Sequence, residues 1–214
     1  TGLQVRPEGY LLVVLDGVGE NIMRDPSMMP KLVERLNEQA VLSVTTGPLT
    51  LSATCVREMM TGVPNAPIDG LKNFNMEHPG GMDPWLLAAD SEQYSVGMIG
   101  SYVMGNMYGS HPDIEFVNTF EGHADYYEGD EATAELLERW LLDSRHNVVA
   151  AHFSGPDKVG HKWGTVSEEY RNKMLDMDQQ LSSLLRFVPS NWTVVVTADH
   201  GMTASGSHGS AEAD

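Results

Sequence analysis

The fold is indicated by the stretch Gly9-Tyr10-Leu11-Leu12-Val13-Val14-Leu15, which is followed at once by Asp16-Gly17-Val18-Gly19. A continuous apolar run of this length is typical of a β-strand buried on both faces, as in a parallel sheet covered by helices. The polar turn places Asp16 at the carboxyl end of that strand. Ligands bind at this edge in open α/β sheets, so Asp16 is predicted to bind a ligand rather than to be a surface charge.

Strand-like and helix-like segments alternate along the rest of the chain. Further strands are expected at residues 41–44, 94–99, 147–153 and 192–197. Helices are expected at residues 26–40, 132–142 and 166–187. Residues 62–93 and 100–130 are rich in Gly, Pro, Asn and Met and are expected to form loops around the mouth of a site. The alternation predicts the α/β class, as a three-layer α/β/α sandwich with a mostly parallel central sheet.

Two Gly-rich segments carry side chains that bind metals. They are Gly155-Pro156-Asp157-Lys158-Val159-Gly160-His161 and Thr197-Ala198-Asp199-His200-Gly201-Met202, the second followed by Gly206-Ser207-His208-Gly209. Asp157 and His161 are four residues apart, which puts both side chains on one face of a helical turn. Imidazole nitrogen and carboxylate oxygen are ligands that suit zinc with an open catalytic position. The sequence therefore predicts a metal site.

A loop of hydroxyl residues supplies candidate nucleophiles. Thr50, Ser52 and Thr54 alternate just before a helical stretch that closes with Thr61-Gly62. Backbone N–H groups and the helix dipole at such a start favour an anion, and a metal-bound Ser or Thr oxygen is an activated nucleophile. Each of the three hydroxyls could face the metal.

Taken together, these motifs resemble the alkaline phosphatase superfamily. Within it, they are most similar to the type I phosphodiesterase/nucleotide pyrophosphatase branch and to the ethanolamine-phosphate transferases that modify lipid anchors. The resemblance covers nearly the whole chain and implies an alkaline phosphatase-like fold with two divalent metal ions, zinc being the expected element. One ion would be held by Asp16, Ser52, Asp199 and His200, and the other by Asp157, His161 and His208. Counting back from Thr61-Gly62 places Ser52 at the family's nucleophile and Asn73 where phosphodiesterases have an Asn that hydrogen-bonds the phosphate.

The implied reaction is that of a two-metal phosphoric ester hydrolase, in which Ser52 forms a covalent phospho-serine that water then releases. The expected substrate is a small anionic phosphate ester. Two alternatives remain open. The closeness of His208 to Asp199-His200 resembles phosphotransferases of the phosphoethanolamine type, and a metal-binding domain without turnover would carry the same ligands. His152, on a predicted buried strand, is expected to be a hydrogen-bonded structural residue.

Composition limits the other classes of function. The 30 acidic and 13 basic residues give a formal net charge of −17, which argues against a nucleic-acid polymer or an anionic membrane surface as partner. Neither a signal peptide nor an apolar run long enough for a membrane span is visible, so the chain as given is expected to be soluble. Its 214 residues suit one catalytic domain, residues 1–214. Because it starts at Thr1 and stops soon after His208, it is expected to be part of a longer chain.

Overall fold

The structure, a computed structural model, describes residues 8–72, 75–78, 80–81, 83–122 and 124–209. Five strands form one parallel sheet with the order β3-β2-β4-β1-β5. The strands are β1 (Gly9–Leu15), β2 (Val96–Gly100), β3 (Ile114–Asn118), β4 (Val148–Phe153) and β5 (Trp192–Ala198). The α-helices in the described part of the chain are α1 (Glu20–Met23), α2 (Pro30–Leu36), α3 (Ser52–Thr61), α4 (Pro84–Ala89), α5 (Tyr102–Tyr108), α6 (Glu128–Leu142), α7 (Gly155–Trp163) and α8 (Glu168–Leu184). A 3-10 helix spans Pro67–Lys72.

Both faces of the sheet are buried under helices, as the apolar run of β1 predicts. Leu11, Val13 and Leu15 point to one face and pack in a core with residues of α2, α6 and α8. Leu12 and Val14 point to the other face and pack with residues of α3, α4 and α5. The alternation follows from the two-residue period of a strand. The predicted three-layer α/β/α sandwich is therefore confirmed.

The register of the sheet brings the ends of three strands to one level. Leu15 is paired with Phe153 on β4 and with Ala198 on β5. The residues that follow these strands therefore emerge side by side, and the Asp16 N–H still donates to the Phe153 carbonyl at 3.0 Å. Because all five strands are parallel, their carboxyl ends lie along the same edge, where open α/β sheets bind ligands.

Several expected boundaries were wrong. Residues 41–44 form no strand, and Leu42 and Val44 are 85% and 80% exposed, because their apolar side chains have no sheet to join. The helix expected at residues 26–40 is confined to α2, which begins at Pro30, where a missing N–H costs nothing. Helix α6 starts earlier than expected, at Glu128.

The two segments expected to be loops contain regular structure. Residues 62–93 include the 3-10 helix and α4, and residues 100–130 include α5 and the edge strand β3. β3 has the sequence Ile-Glu-Phe-Val-Asn, in which only Ile114 is buried, so it lacks the continuous apolar run of the central strands. Within the described ranges, no helix has the length and apolar character needed to cross a membrane.

Candidate active site

The residues expected to bind metal and substrate converge at the carboxyl edge of the sheet. They are Asp16, Ser52, Asp157, His161, Asp199, His200 and His208. Asp16 follows β1, while Asp199 and His200 follow β5. Helix α7 begins two residues after β4 and carries Asp157 and His161 one turn apart. The strand order β4-β1-β5 therefore assembles the site from three adjacent strand ends.

Ser52 is the first residue of α3, and its hydroxyl faces the strand ends. The N-cap position belongs to Leu51, so the Ser52 side chain is not used as a helix cap. Ser52 Oγ donates to Asp16 Oδ1 at 3.1 Å and lies 3.2 Å from His200 Nε2. An oxygen at a helix N-terminus, between a carboxylate and an imidazole, is well placed to attack a bound anion.

The other two hydroxyls are engaged elsewhere. Thr54 is fully buried, and its Oγ1 donates to two carbonyls of the preceding loop at 3.0 and 2.8 Å. Thr50 Oγ1 accepts from the Gly209 N–H at 2.7 Å. Of the three alternating hydroxyls, Ser52 is the one that faces the carboxylate and the imidazole. Asn73 lies outside the described residues, so its contact with phosphate stays a prediction.

The three histidines of the site are held by the same device. In each ring Nδ1 donates to a backbone carbonyl, in the pairs His161–Gly206 at 2.8 Å, His200–Gly201 at 3.0 Å and His208–Thr50. A carbonyl only accepts hydrogen bonds, so the neutral ring carries its proton on Nδ1 and presents a lone pair on Nε2. This is the tautomer that binds a metal through Nε2.

Several potential ligand atoms of the site point toward one another, which indicates a cation between them. The Nε2 atoms of His161 and His208 lie 2.9 Å apart. Asp157 adds its carboxylate, with Oδ1 3.2 Å from His208 Nε2 and Oδ2 3.5 Å from His161 Nε2. Lone pairs and carboxylate oxygens at these distances repel one another unless a proton or a cation lies between them. The residues present therefore fit a divalent metal ion.

Asp199 provides a second sign of a cation. Its Oδ1 accepts from the backbone N–H of Gly17 at 3.1 Å and of His200 at 2.9 Å. Its Oδ2 is buried and has no hydrogen-bond partner among the described residues. An unpaired carboxylate oxygen out of water is costly, so an ion that uses it as a ligand would remove that cost.

The potential metal-ligand atoms form two groups. Within each group, all ligand atoms lie within 4.8 Å of one another. The groups are Asp157, His200 and His208, and Asp16, His152 and Asp199. The family resemblance instead joins His200 to Asp16 and Asp199, whose carboxylates are 3.4 and 3.5 Å from His200 Nε2. His200 thus lies between the two groups and can reach either.

Burial and neighbouring charges shift the pKa values of several groups of the site. Burial, together with the charges of Asp199 and Asp157, raises the pKa of Asp16 to about 6. Burial also raises the pKa of Asp199 to about 6. Burial opposes the charged form of His208, but the Asp157 carboxylate outweighs it and raises the His208 pKa to about 9. Metal ions and protons are therefore expected to compete for these groups.

Gly206 fixes the loop that brings His208 back to the site. Its φ is 76°, and an added Cβ would lie 1.9 Å from the Gly160 carbonyl oxygen on α7. A glycine is required both by the left-handed backbone and by the close approach to the helix. The approach allows the Gly206 carbonyl to accept the hydrogen bond from His161. Gly206 therefore orients the His161 ring and also positions the loop that carries His208.

His152, which lies next to Asp16, and its partner Ser101 were not foreseen as part of the site. His152 is fully buried and hydrogen-bonded, as expected from its place on a buried strand, with Nδ1 2.9 Å from Ser101 Oγ. Its Nε2, however, is 3.4 Å from Asp16 Oδ2. The contact depends on the lateral pairing of β1 with β4, which no local pattern in the sequence reveals.

A cavity of about 760 Å³ lies beside this site rather than over it. It is lined mainly by apolar residues of β1, β5, α3 and α4, among them Tyr10, Met59, Trp85 and Val195. Its lining includes Asp199 but not Ser52 or the histidines. The reacting phosphate is therefore expected at the open strand edge.

The fold and the site define a phosphoester-acting domain of the alkaline phosphatase superfamily. The family model described as type I phosphodiesterase/nucleotide pyrophosphatase matches residues 10–211. The chain belongs to this family.

Relatives and solved structures agree with the family assignment. GPI ethanolamine phosphate transferase 2 of Debaryomyces hansenii is 26% identical over 213 residues, covering 93% of this chain but 24% of the transferase. The catalytic subunit of human GPI ethanolamine phosphate transferase 3 is 41% identical over 80 residues, covering 37% of this chain and 7% of that protein. Murine ectonucleotide pyrophosphatase/phosphodiesterase 5 has a similar fold, with a TM-score of 0.65 and 19% identity over 91% of this chain and 57% of that chain. A putative sulfatase from Bacteroides thetaiotaomicron has a TM-score of 0.64 at 11% identity, covering 97% and 61%. The chain thus spans about a quarter of the length of the transferase it matches over most of its own length.

Proposed function

We propose that this chain is the catalytic domain of a metal-dependent enzyme that cleaves a phosphodiester through a phospho-Ser52 intermediate and passes the phosphoryl group to an alcohol. The carrying observation is the Ser52 hydroxyl, held 3.1 Å from Asp16 Oδ1 and 3.2 Å from His200 Nε2 at the start of α3. The cluster of Asp157, His200 and His208 and the carboxylates of Asp16 and Asp199 are the candidate ligands for two divalent ions, zinc being favoured by these imidazole and carboxylate donors.

When bound, such ions lower the proton affinity of a hydroxyl and neutralise charge on a phosphoryl group. The chain's own residues then have three tasks. Ser52 Oγ forms a bond to phosphorus while the bond to the leaving oxygen breaks, and the Ser52 proton leaves with the alcohol released. The N-terminus of α3 receives the negative phosphoryl group. In the second half, an acceptor oxygen bonds to phosphorus while the bond between phosphorus and Ser52 Oγ breaks, and the acceptor's proton passes to Ser52 Oγ.

The charge of the site favours a diester over a monoester. A monoester dianion is best matched by an added cationic side chain, and Arg57 is the basic residue nearest to Ser52 in sequence. Its guanidinium is instead paired with Asp69, with Nη2 3.2 Å from Oδ2, and also contacts Met76. The Arg57 guanidinium is therefore engaged in an ion pair and in packing beside α3. This supports a substrate with a single negative charge.

Transfer is the first candidate outcome, since the relatives that match most of this chain are named as ethanolamine phosphate transferases. These names support ethanolamine phosphate as the group transferred. Hydrolysis, with water as the acceptor, is the second candidate, because the matching family is described by phosphodiesterase and pyrophosphatase activities. The two reactions share the first half and differ only in the second acceptor.

The test measures metal content and turnover together. Purified protein, loaded with zinc, is assayed with bis-p-nitrophenyl phosphate and p-nitrophenyl phosphate, in water and with ethanolamine as alcohol acceptor. We expect about two zinc ions per chain, faster release from the diester, and a phosphoryl adduct on Ser52 detectable by mass spectrometry after acid quenching. An alcohol-dependent product would mark transfer, and its absence with continuing turnover would mark hydrolysis.

Two variants make the result specific to the nucleophile. Ser52→Ala should bind metal but form no adduct and lose diester cleavage by at least about a hundredfold, as expected for loss of a covalent nucleophile. Ser110→Ala removes an exposed serine hydroxyl in the turn after α5 and should behave as the parent protein. Bound metal without adduct or turnover in the parent would contradict the catalytic proposal and favour a metal-binding domain that does not turn over.

A further inference from the structure

A chain of buried polar contacts runs beneath the candidate metal groups. Ser101 is the N-cap residue of α5, His152 lies near the end of β4, and Asp16 follows β1. All three are at most 4% exposed. Because β2, β4 and β1 are adjacent in the sheet, their ends bring the three side chains into line.

The hydroxyl of Ser101 is placed to donate to Nδ1 of His152, which favours the tautomer with its proton on Nε2. Ser101 Oγ accepts from the Val103 N–H at 3.4 Å, as an N-cap oxygen does, so its hydroxyl proton is free to donate to another group. His152 Nδ1 lies 2.9 Å from the same oxygen. With Nδ1 as acceptor, the proton of the neutral ring must lie on Nε2.

The proton on Nε2 points to Asp16. Nε2 is buried, lies 3.4 Å from Asp16 Oδ2 and has no closer hydrogen-bond partner in the described part of the chain. Val14 and His152 are paired in register, and Asp16, two residues further along, points to the same side as Val14, which places its carboxylate beside the ring. A slight approach of the two groups would satisfy a donor that is otherwise unpaired, so this contact is the one the geometry favours.

The two oxygens of Asp16 consequently have different tasks. Oδ2 faces His152, whereas Oδ1 faces Ser52 Oγ at 3.1 Å and His200 Nε2 at 3.4 Å. A carboxylate that can rotate freely would exchange these oxygens and lose a fixed geometry. A donor behind the ligand prevents this, as outer partners do in metal sites generally.

We propose that Ser101 and His152 are positioning residues that fix Asp16 Oδ1 toward the metal and the Ser52 nucleophile. His152 acts here through its Nε2–H and not as a metal ligand, although its ring is near enough to Asp16 and Asp199 to be grouped with them. The inference rests on the proposed two-metal function, because it assigns residues that support one of the two ion positions.

The test compares variants that keep or remove one hydrogen bond. His152→Gln retains an amide N–H that can reach Asp16, while His152→Leu has a similar volume and no donor. Zinc affinity is measured for both ions by competition with a chelator, independently of turnover. We expect His152→Leu to lose about 10- to 100-fold in affinity for one ion and to leave the other unchanged, with most of the loss restored in His152→Gln.

Ser101 offers a second, milder pair. Ser101→Thr keeps the hydroxyl, whereas Ser101→Gly removes it at a cost of only a few tenths of a kcal/mol in capping. The glycine variant should weaken the same ion as His152→Leu, and the threonine variant should not. In turnover assays, kcat of the glycine variant should fall, and excess zinc should restore it only in part, because the Asp16 carboxylate is no longer fixed.

The outcomes separate this inference from the proposed function. If the parent protein binds no zinc, the two-metal function fails. If the parent binds two ions but His152→Leu binds both with unchanged affinity, only the positioning role is overturned. Equal loss of one ion in His152→Leu and His152→Gln would also overturn it, since it would indicate direct ligation or a packing role.

Discussion

Metal binding by the cluster of Asp157, His200 and His208 should depend on pH, because the metal ion competes with a proton on His208. Because Asp157 raises the pKa of His208 to about 9, the imidazole is protonated near neutral pH when no cation is present. A metal ion that binds through Nε2 must displace that proton. The apparent affinity should therefore increase with pH until His208 is deprotonated in the free protein.

The size of the effect follows from the same pKa. Well below that value each pH unit changes the neutral fraction of His208 about tenfold, so the affinity should rise about 50-fold between pH 7 and pH 9 and about 100-fold in all once it levels off above pH 9. Binding at pH 7.5 should release about one proton from this group. Asp16 and Asp199, with pKa values raised to about 6, add a further loss for their own ion only below about pH 6.

The assay is zinc competition with a chelator of known affinity at half-unit steps from pH 6.5 to 9.5. Titration calorimetry in two buffers of different ionisation enthalpy counts the released protons. Asp157→Asn is the informative variant, since it removes the carboxylate that raises the His208 pKa; its affinity should be lower overall but nearly independent of pH between 7 and 9. A flat profile in the parent protein, or an unchanged slope in Asp157→Asn, would refute the reasoning.

Three further outcomes are expected. Gly206→Ala should weaken zinc binding by tenfold or more, because its Cβ would lie 1.9 Å from the Gly160 carbonyl oxygen, while Gly122→Ala has the same left-handed strain in open space and should leave zinc affinity unchanged; chelator competition on both checks this. Lys173→Met should lower the free energy of unfolding by about 3–5 kcal/mol in urea, because it leaves the buried Asp130 without the ammonium 2.6 Å away, and a loss below about 1 kcal/mol would contradict the pairing. The metal-free protein should lose thermal stability as pH rises from 4 to 9, because the folded pKa values of Asp16, Asp199 and His208 lie above their usual ones and these groups stabilise the fold only while protonated. Zinc should reverse the trend. A melting temperature of the metal-free protein that rises over this range would be inconsistent with the prediction.

The central strands, and the convergence of the candidate metal ligands, could be predicted because each carries a strong local signal. The apolar run of β1 is continuous and that of β4 is interrupted only by His152, and each strand is followed by a polar residue and a glycine. The ligand pairs Asp157–His161 and Asp199–His200 lie close together in sequence, so their proximity needs no tertiary information. Ser52 was favoured over Thr50 and Thr54 by the family resemblance alone, and the structure adds that the hydroxyls of Thr54 and Thr50 are hydrogen-bonded to backbone groups.

The edge of the sheet was harder to predict for a physical reason. β3 has one neighbouring strand and one buried residue, Ile114, so its pattern is mixed and resembles a loop with scattered apolar residues. The apolar residues at 41–44 give the opposite error, since β-propensity without a neighbouring strand does not produce one. Strand formation at the periphery depends on available partners more than on composition.

The support beneath the ligands depends on an arrangement that is absent from any local pattern. Ser101 follows β2, His152 ends β4 and Asp16 follows β1, and these segments are far apart in sequence. Their contact requires the order β2-β4-β1 and the register that pairs Val14 with His152. A slip of one residue in that register would turn the imidazole to the opposite face of the sheet, away from Ser101 and Asp16. The candidate ligands can therefore be predicted from short motifs, whereas the groups proposed to orient them follow only from the strand order and register.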